Sequence, residues 1–179
     1  METRKLLLVI DMQKDFVDGA LGTAEAVAIV PNVLAEIGKY DIENVFVTRD
    51  THPENYLETQ EGKNLPVVHC VKGTPGWELN AEVAKAVSGA EIFDKPTFGS
   101  TELVERIGRY TAEYGEENVR VELIGLCTDI CVVSNALLLK AHYHEMPLSL
   151  DPKCCAGVTP QKHDAAIETM RSCQIEILA

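Results

Sequence analysis

Cys131 stands in the segment Leu123-Ile124-Gly125-Leu126-Cys127-Thr128-Asp129-Ile130-Cys131-Val132-Val133-Ser134-Asn135-Ala136, a setting that suits a reactive thiol. An apolar run through Val121, Leu123 and Ile124 reaches Gly125. Thr128 and Asp129 then offer cap side chains ahead of an apolar, helix-length stretch ending near Lys140. The pattern carries a cysteine from the end of a buried strand into the first turn of a helix. Unpaired backbone N–H groups and the positive end of the helix dipole favour a thiolate there, and the same N–H groups can hold an oxyanion. The chemistry this suits is acyl transfer. A lone cysteine more commonly packs beneath a sheet as a small hydrophobe, so its companions must decide.

Two further segments supply companions. Lys5-Leu6-Leu7-Leu8-Val9-Ile10 reads as a buried strand that delivers Asp11 at its carboxyl end, and Glu91-Ile92-Phe93-Asp94-Lys95-Pro96 places Lys95 at a strand end before a turn. In an open parallel sheet, ligands bind outside the carboxyl ends of the strands, so the three groups can meet in one crevice. A carboxylate there accepts the thiol proton and returns it to a leaving amine, while an ammonium lowers the pKa of both neighbours. A third segment, Val47-Thr48-Arg49-Asp50-Thr51-His52-Pro53, is followed by Glu61 and by His69-Cys70-Val71-Lys72-Gly73-Thr74-Pro75-Gly76. Asp50 and His52 at a strand end, with His69 returned by a loop, make one carboxylate and two imidazoles, a set suited to divalent Zn, Mn or Fe. The bland reading is an Asp50 that caps a turn and a His69 bonded to a carbonyl.

These segments resemble the isochorismatase-like cysteine hydrolase family from about Leu6 to the C-terminus, and within it the nicotinamidase/pyrazinamidase branch. Asp11 in VIDMQKDF, Lys95 in DKPTFGS and Cys131 in GLCTDICV stand in that family's catalytic order and at similar spacing. The resemblance implies a three-layer α/β/α, doubly wound, mainly parallel sheet, and a cis peptide at Leu126-Cys127. It also implies an oxyanion hole formed by the backbone N–H groups of Cys127 and Cys131. Isochorismatases proper cleave a vinyl ether and lack the cysteine, so Cys131 indicates an amidase. The metal loop of the branch takes His or Glu as fourth ligand. Glu61 fits by its spacing from His52, with Glu58 in reserve, and Zn is the first choice of metal. An open position on that metal could receive a pyridine nitrogen. One departure concerns the ring. An aromatic often precedes the second metal His in the branch, whereas this chain has Leu65-Pro66-Val67-Val68, which leaves Phe16 and Phe98 as the ring contacts.

The resulting expectation is hydrolysis of nicotinamide to nicotinate and ammonia through a thioester on Cys131. Another small amide or carbamoyl compound is the alternative substrate, and a non-catalytic binding module the alternative class. Relatives are often dimers or larger, which implies a homo-oligomer.

Composition agrees with one enzyme domain over 1–179. The chain has 46% hydrophobic and 25% charged residues, and a net charge of −12 disfavours nucleic acid and anionic membranes as partners. Six cysteines in a core-rich chain whose N-terminal apolar run ends in an acid after six residues suggest reduced thiols and a cytoplasmic location. Cys70, Cys154 and Cys155 read as packing residues. Strands are expected near 5–10, 44–49, 91–93, 119–124, 146–150 and 174–178, and helices near 25–39, 78–88, 101–114, 130–142 and 160–172. The stretch from about 50 to 77 has little periodicity, and a loop of that length is usually functional.

Overall fold

The computed structural model describes residues 3–179. Six parallel strands form its sheet: β1 (Arg4–Ile10), β2 (Val45–Asp50), β3 (Glu91–Lys95), β4 (Val119–Leu126), β5 (Leu148–Ala156) and β6 (Glu176–Ile177). Their order is β3-β2-β1-β4-β5-β6. Seven α-helices connect or flank them: α1 (Lys14–Val17), α2 (Ala24–Ile37), α3 (Gln60–Asn64), α4 (Ala81–Ala86), α5 (Thr101–Tyr114), α6 (Val133–His142) and α7 (Pro160–Ser172).

Strand alternation explains the layers. Leu7 and Val9 of β1 face one side and pack with Val45, Val47 and the apolar faces of α1, α2 and α4. Leu6, Leu8 and Ile10 face the other and pack with α5, α6 and α7. A strand buried on both faces is apolar throughout, which is why β1 reads as an unbroken run. The chain winds one way from β1 to β3 and the other way from β4 to β6, so the carboxyl ends of the adjacent β1 and β4 border a crevice. At that boundary Gly125 has φ 118°, and a Cβ there would lie 2.1 Å from the Ile10 carbonyl oxygen, so only glycine lets the two strands close up.

Several local features differ from the sequence reading. β5 runs on to Ala156 because residues 151–154 bulge opposite Ile124: Leu123 pairs with Leu150 but Gly125 with Cys155. Pro152 cannot donate to a ladder, and that interrupts the strand pattern without ending the strand. α1 and α3 are too short to leave a periodic signal. Ser100 and Thr159 cap α5 and α7, through bonds to the N–H groups of Leu103 and Lys162. Thr128 and Asp129 cap nothing. They lie in a single π-helical turn, Thr128–Val132, that leads into α6. Thr128 Oγ1 meets His163 Nδ1 at 2.8 Å and Asp129 Oδ1 accepts from the Val158 N–H at 2.9 Å, so both side chains tie the turn to α7 and its approach. Among the described residues no helix is long and apolar enough to cross a membrane.

Candidate active site

Each expected group sits at the carboxyl edge of the sheet. Asp11 follows β1 in the left-handed region, at φ 47°, a conformation Asp tolerates better than most residues. Its Oδ1 accepts from Thr48 Oγ1 at 2.6 Å. Lys95 ends β3, is 1% exposed, and joins the cluster: its Nζ lies 2.6 Å from Asp11 Oδ2, 3.3 Å from Cys131 Sγ and 3.4 Å from Asp50 Oδ1, and it donates to the Thr97 carbonyl at 3.2 Å. Burial alone would discharge such a lysine. Asp11, Cys131 and Asp50 outweigh it and hold the ammonium charged well above the usual range.

Cys131 departs from the expected thiolate. It lies in the first turn, but the turn is buried, and burial followed by the Asp11 charge pushes the thiol well above its ordinary pKa against the opposing pull of Lys95. The resting group is the thiol. Asp11 is raised too, chiefly by burial, with Lys95 opposing, so this carboxylate is a stronger base than one in water. Beside them the Leu126-Cys127 peptide is cis, and the Cys127 N–H donates to no group among the described residues.

Residues that escaped the sequence reading hold this arrangement. Asn135, fully buried, donates to the carbonyls of Cys131 at 2.8 Å and Phe98 at 3.1 Å, and accepts from the Ser100 N–H at 2.9 Å. The turn bearing Cys131 is thereby fastened to the loop after Lys95. Gln13 donates to the carbonyl oxygens of Asp50 and Trp77 at 2.8 and 2.9 Å and accepts from the Asp50 N–H at 2.7 Å. No periodicity or motif marks a single buried amide.

The stretch after β2 gathers a second cluster. Ligand atoms of Asp50, His52, Glu61 and His69 all lie within 4.8 Å of one another. His52 Nε2 is 2.9 Å from Asp50 Oδ2 and 3.7 Å from Glu61 Oε1, and His69 Nε2 is 3.6 Å from Asp50 Oδ2 and 3.9 Å from Glu61 Oε1. His69 Nδ1 lies 2.7 Å from the Val67 carbonyl, which can only accept, so Nδ1 carries a proton and Nε2 is the ring nitrogen turned toward Asp50 and Glu61. His52 Nε2 is buried and, although near Asp50 Oδ2, is not aligned to donate to it. Donor atoms each about 2.0–2.2 Å from one ion must lie no more than roughly 4 Å apart, as these His–carboxylate pairs do, so this donor set fits one divalent cation. Glu58 is directed elsewhere and accepts from Asn55 at the surface. The buried ring of Tyr56 supports both imidazoles, with centroids 4.7 Å from His52 and 5.0 Å from His69. Asp15 in α1 accepts from the Cys70 N–H at 2.8 Å and so pins the returning segment.

Above both clusters opens a cavity of about 420 Å³ whose walls include Cys131, Cys127, Asp50, Glu61 and His69. Phe16 and Phe98 line it as well, Phe16 within 5.5 Å of the His69 ring and Phe98 at the mouth. Cys70 and Cys155 are buried core groups, and all six cysteines are free.

A doubly wound parallel sheet with an acid, a lysine and a thiol buried at its switch point defines a class of α/β hydrolytic proteins. The isochorismatase domain model matches residues 5–179, and the chain belongs to that family and is a hydrolase of it. The pyrazinamidase of Pyrococcus horikoshii, solved in complex with zinc, is 32% identical over 98% of both chains, with a TM-score of 0.75. The pyrazinamidase/nicotinamidase of Streptococcus mutans is 23% identical over 97% of this chain and 99% of that one, with a TM-score of 0.80. Yeast nicotinamidase bound to the inhibitor nicotinaldehyde is 17% identical over 97% of this chain and 99% of that one, with a TM-score of 0.76. The last two likenesses speak for the fold. No functionally curated protein matches the chain significantly.

Proposed function

We propose that this protein is a cysteine-dependent amidohydrolase that converts nicotinamide and water to nicotinate and ammonia through a thioester on Cys131. The observation that carries the reading is a single buried ammonium, Lys95, in contact with both Asp11 and Cys131 Sγ beneath the cavity. The 32% identity to a pyrazinamidase over nearly the whole chain supports the same chemistry.

In this reading Asp11 takes the Cys131 proton as sulfur attacks the amide carbon, and Lys95 keeps the carboxylate and the nascent thiolate charged. The carbonyl oxygen gathers negative charge, met by the N–H groups of Cys127 and Cys131. The C–N bond breaks as Asp11 passes its proton to nitrogen, and ammonia leaves. Water then gives a proton to Asp11 and adds to the thioester, the C–S bond breaks, and the thiol and a carboxylate are restored. Asp50, His52, Glu61 and His69 would hold one divalent ion, zinc by preference for two imidazoles and two carboxylates, and such an ion would supply Lewis acidity toward a ring nitrogen of the amide. Phe16 and Phe98 flank the ring.

The test compares nicotinamide with benzamide, which lacks the ring nitrogen, in metal-free and metal-loaded protein. Metal removal should suppress ammonia release from nicotinamide tenfold or more, largely through KM, and affect benzamide far less. Equal losses would make the metal structural. No ammonia from nicotinamide under any loading would overturn the substrate assignment.

A further inference from the structure

We infer that the cavity is shaped for a primary carboxamide larger than nicotinamide, one whose ring carries an apolar extension; this rests on the amidase reading and narrows its substrate class. A cavity of about 420 Å³ falls within the range that encloses drug-sized ligands. A single ring with one carboxamide leaves much of it empty. Away from the catalytic and metal groups the walls are mainly apolar, with Leu21, Ala26, Ile130 and Val158 among them and Thr23, Asn64 and Lys162 as the polar exceptions.

One small residue keeps part of that space open. Ala26 presents only a methyl from the first turn of α2. At the mouth, Leu65, Phe98 and Val158 are 38%, 41% and 41% exposed. Apolar side chains grouped at the rim of a pocket, in a chain of net charge −12, mark a surface that a ligand covers. A substrate that ended at the pyridine ring would leave them in water. An aryl extension covering them should tighten binding by roughly tenfold to a hundredfold.

The probe is 5-phenylnicotinamide, in which the carboxamide and the ring nitrogen are those of nicotinamide and only the apolar extension is new. Calorimetric titration of the metal-loaded Cys131→Ala protein should show it binding at least tenfold tighter than nicotinamide. Wild-type protein should hydrolyse it with a KM lowered by a similar factor, a readout that stands even where the Cys131→Ala protein does not fold. Val158→Trp, at an exposed rim position, should reduce the preference for the phenyl compound about tenfold. Equal or weaker binding of 5-phenylnicotinamide, or no turnover of it while nicotinamide is hydrolysed, would overturn the inference and leave the amidase reading standing. A preference unchanged in Val158→Trp would contradict the assigned wall. Turnover of neither amide would overturn the amidase reading, and this inference with it.

Discussion

Lys95 is the residue through which the site is organised, because one buried ammonium touches the proposed base, the proposed nucleophile and one member of the metal cluster. It offsets the cost of burying Asp11 and lets a thiol that burial holds protonated give up its proton on demand. Asp11→Asn removes the acceptor while keeping the shape. Iodoacetamide should then label Cys131 at least tenfold more slowly than in wild type near neutral pH, and amide hydrolysis should fall by orders of magnitude. Equal labelling rates would show that Asp11 does not activate the thiol. Asp11, Lys95 and Cys131 were visible in the sequence because each stands where an apolar run ends, and a reactive side chain at a strand end is a local signal. Thr48 and Asn135 were not, since their work lies in bonds to residues far along the chain, such as Thr48 to Asp11 across 37 positions.

At the scale of elements, the strands and long helices were legible wherever one periodicity ran uninterrupted, as in β1, α5 and α7. Legibility failed where a local rule was used for something else. Thr128-Asp129 has the composition of a cap, yet a π turn spends those side chains on His163 and Val158, and that choice is made by the packing of α7. The reach of β5 past Pro152 was hidden for a similar reason, because pairing with β4 resumes only after the bulge. β4 carries a further test in Glu122, 9% exposed, whose Oε2 accepts from Tyr40 at 2.8 Å while Oε1 is buried without a partner. Burial first, and the charges of Glu36 and Asp151 after it, raise its pKa, with the Tyr40 hydroxyl and Lys39 opposing. A carboxyl raised in the folded state contributes its stability fully below the unfolded pKa and loses it as pH rises through the folded value. Glu122→Gln, a mimic of the protonated form, should therefore raise Tm by a few degrees at about pH 8, with the gain vanishing near pH 4. A gain that grew on acidification would contradict the assignment.

For the whole molecule, the decisive property is that the winding of the chain across the parallel sheet reverses between β1 and β4, which opens one crevice into which residues from β1, β2, β3 and β4 all arrive. The proposed metal cluster joins the end of β2 to the stretch that follows it, so an ion bound there stabilises the folded chain alone. Chelation should lower Tm by several degrees and restoring the metal should reverse it. A Tm indifferent to chelator in protein with metal bound would place the ion away from these residues. The fold class, the family and the residues of both clusters could be read from sequence. The cavity proposed to set substrate size could not, because its walls come from five separate stretches of chain. The claim on which all of this turns is covalent catalysis at Cys131, and its most direct measurement is the intact mass of protein quenched during nicotinamide turnover. The account predicts a gain of one nicotinoyl group, mapped to Cys131 by peptide digestion and absent from Cys131→Ala, which also releases no ammonia. Near wild-type ammonia release by Cys131→Ala, with no adduct on either protein, would contradict it.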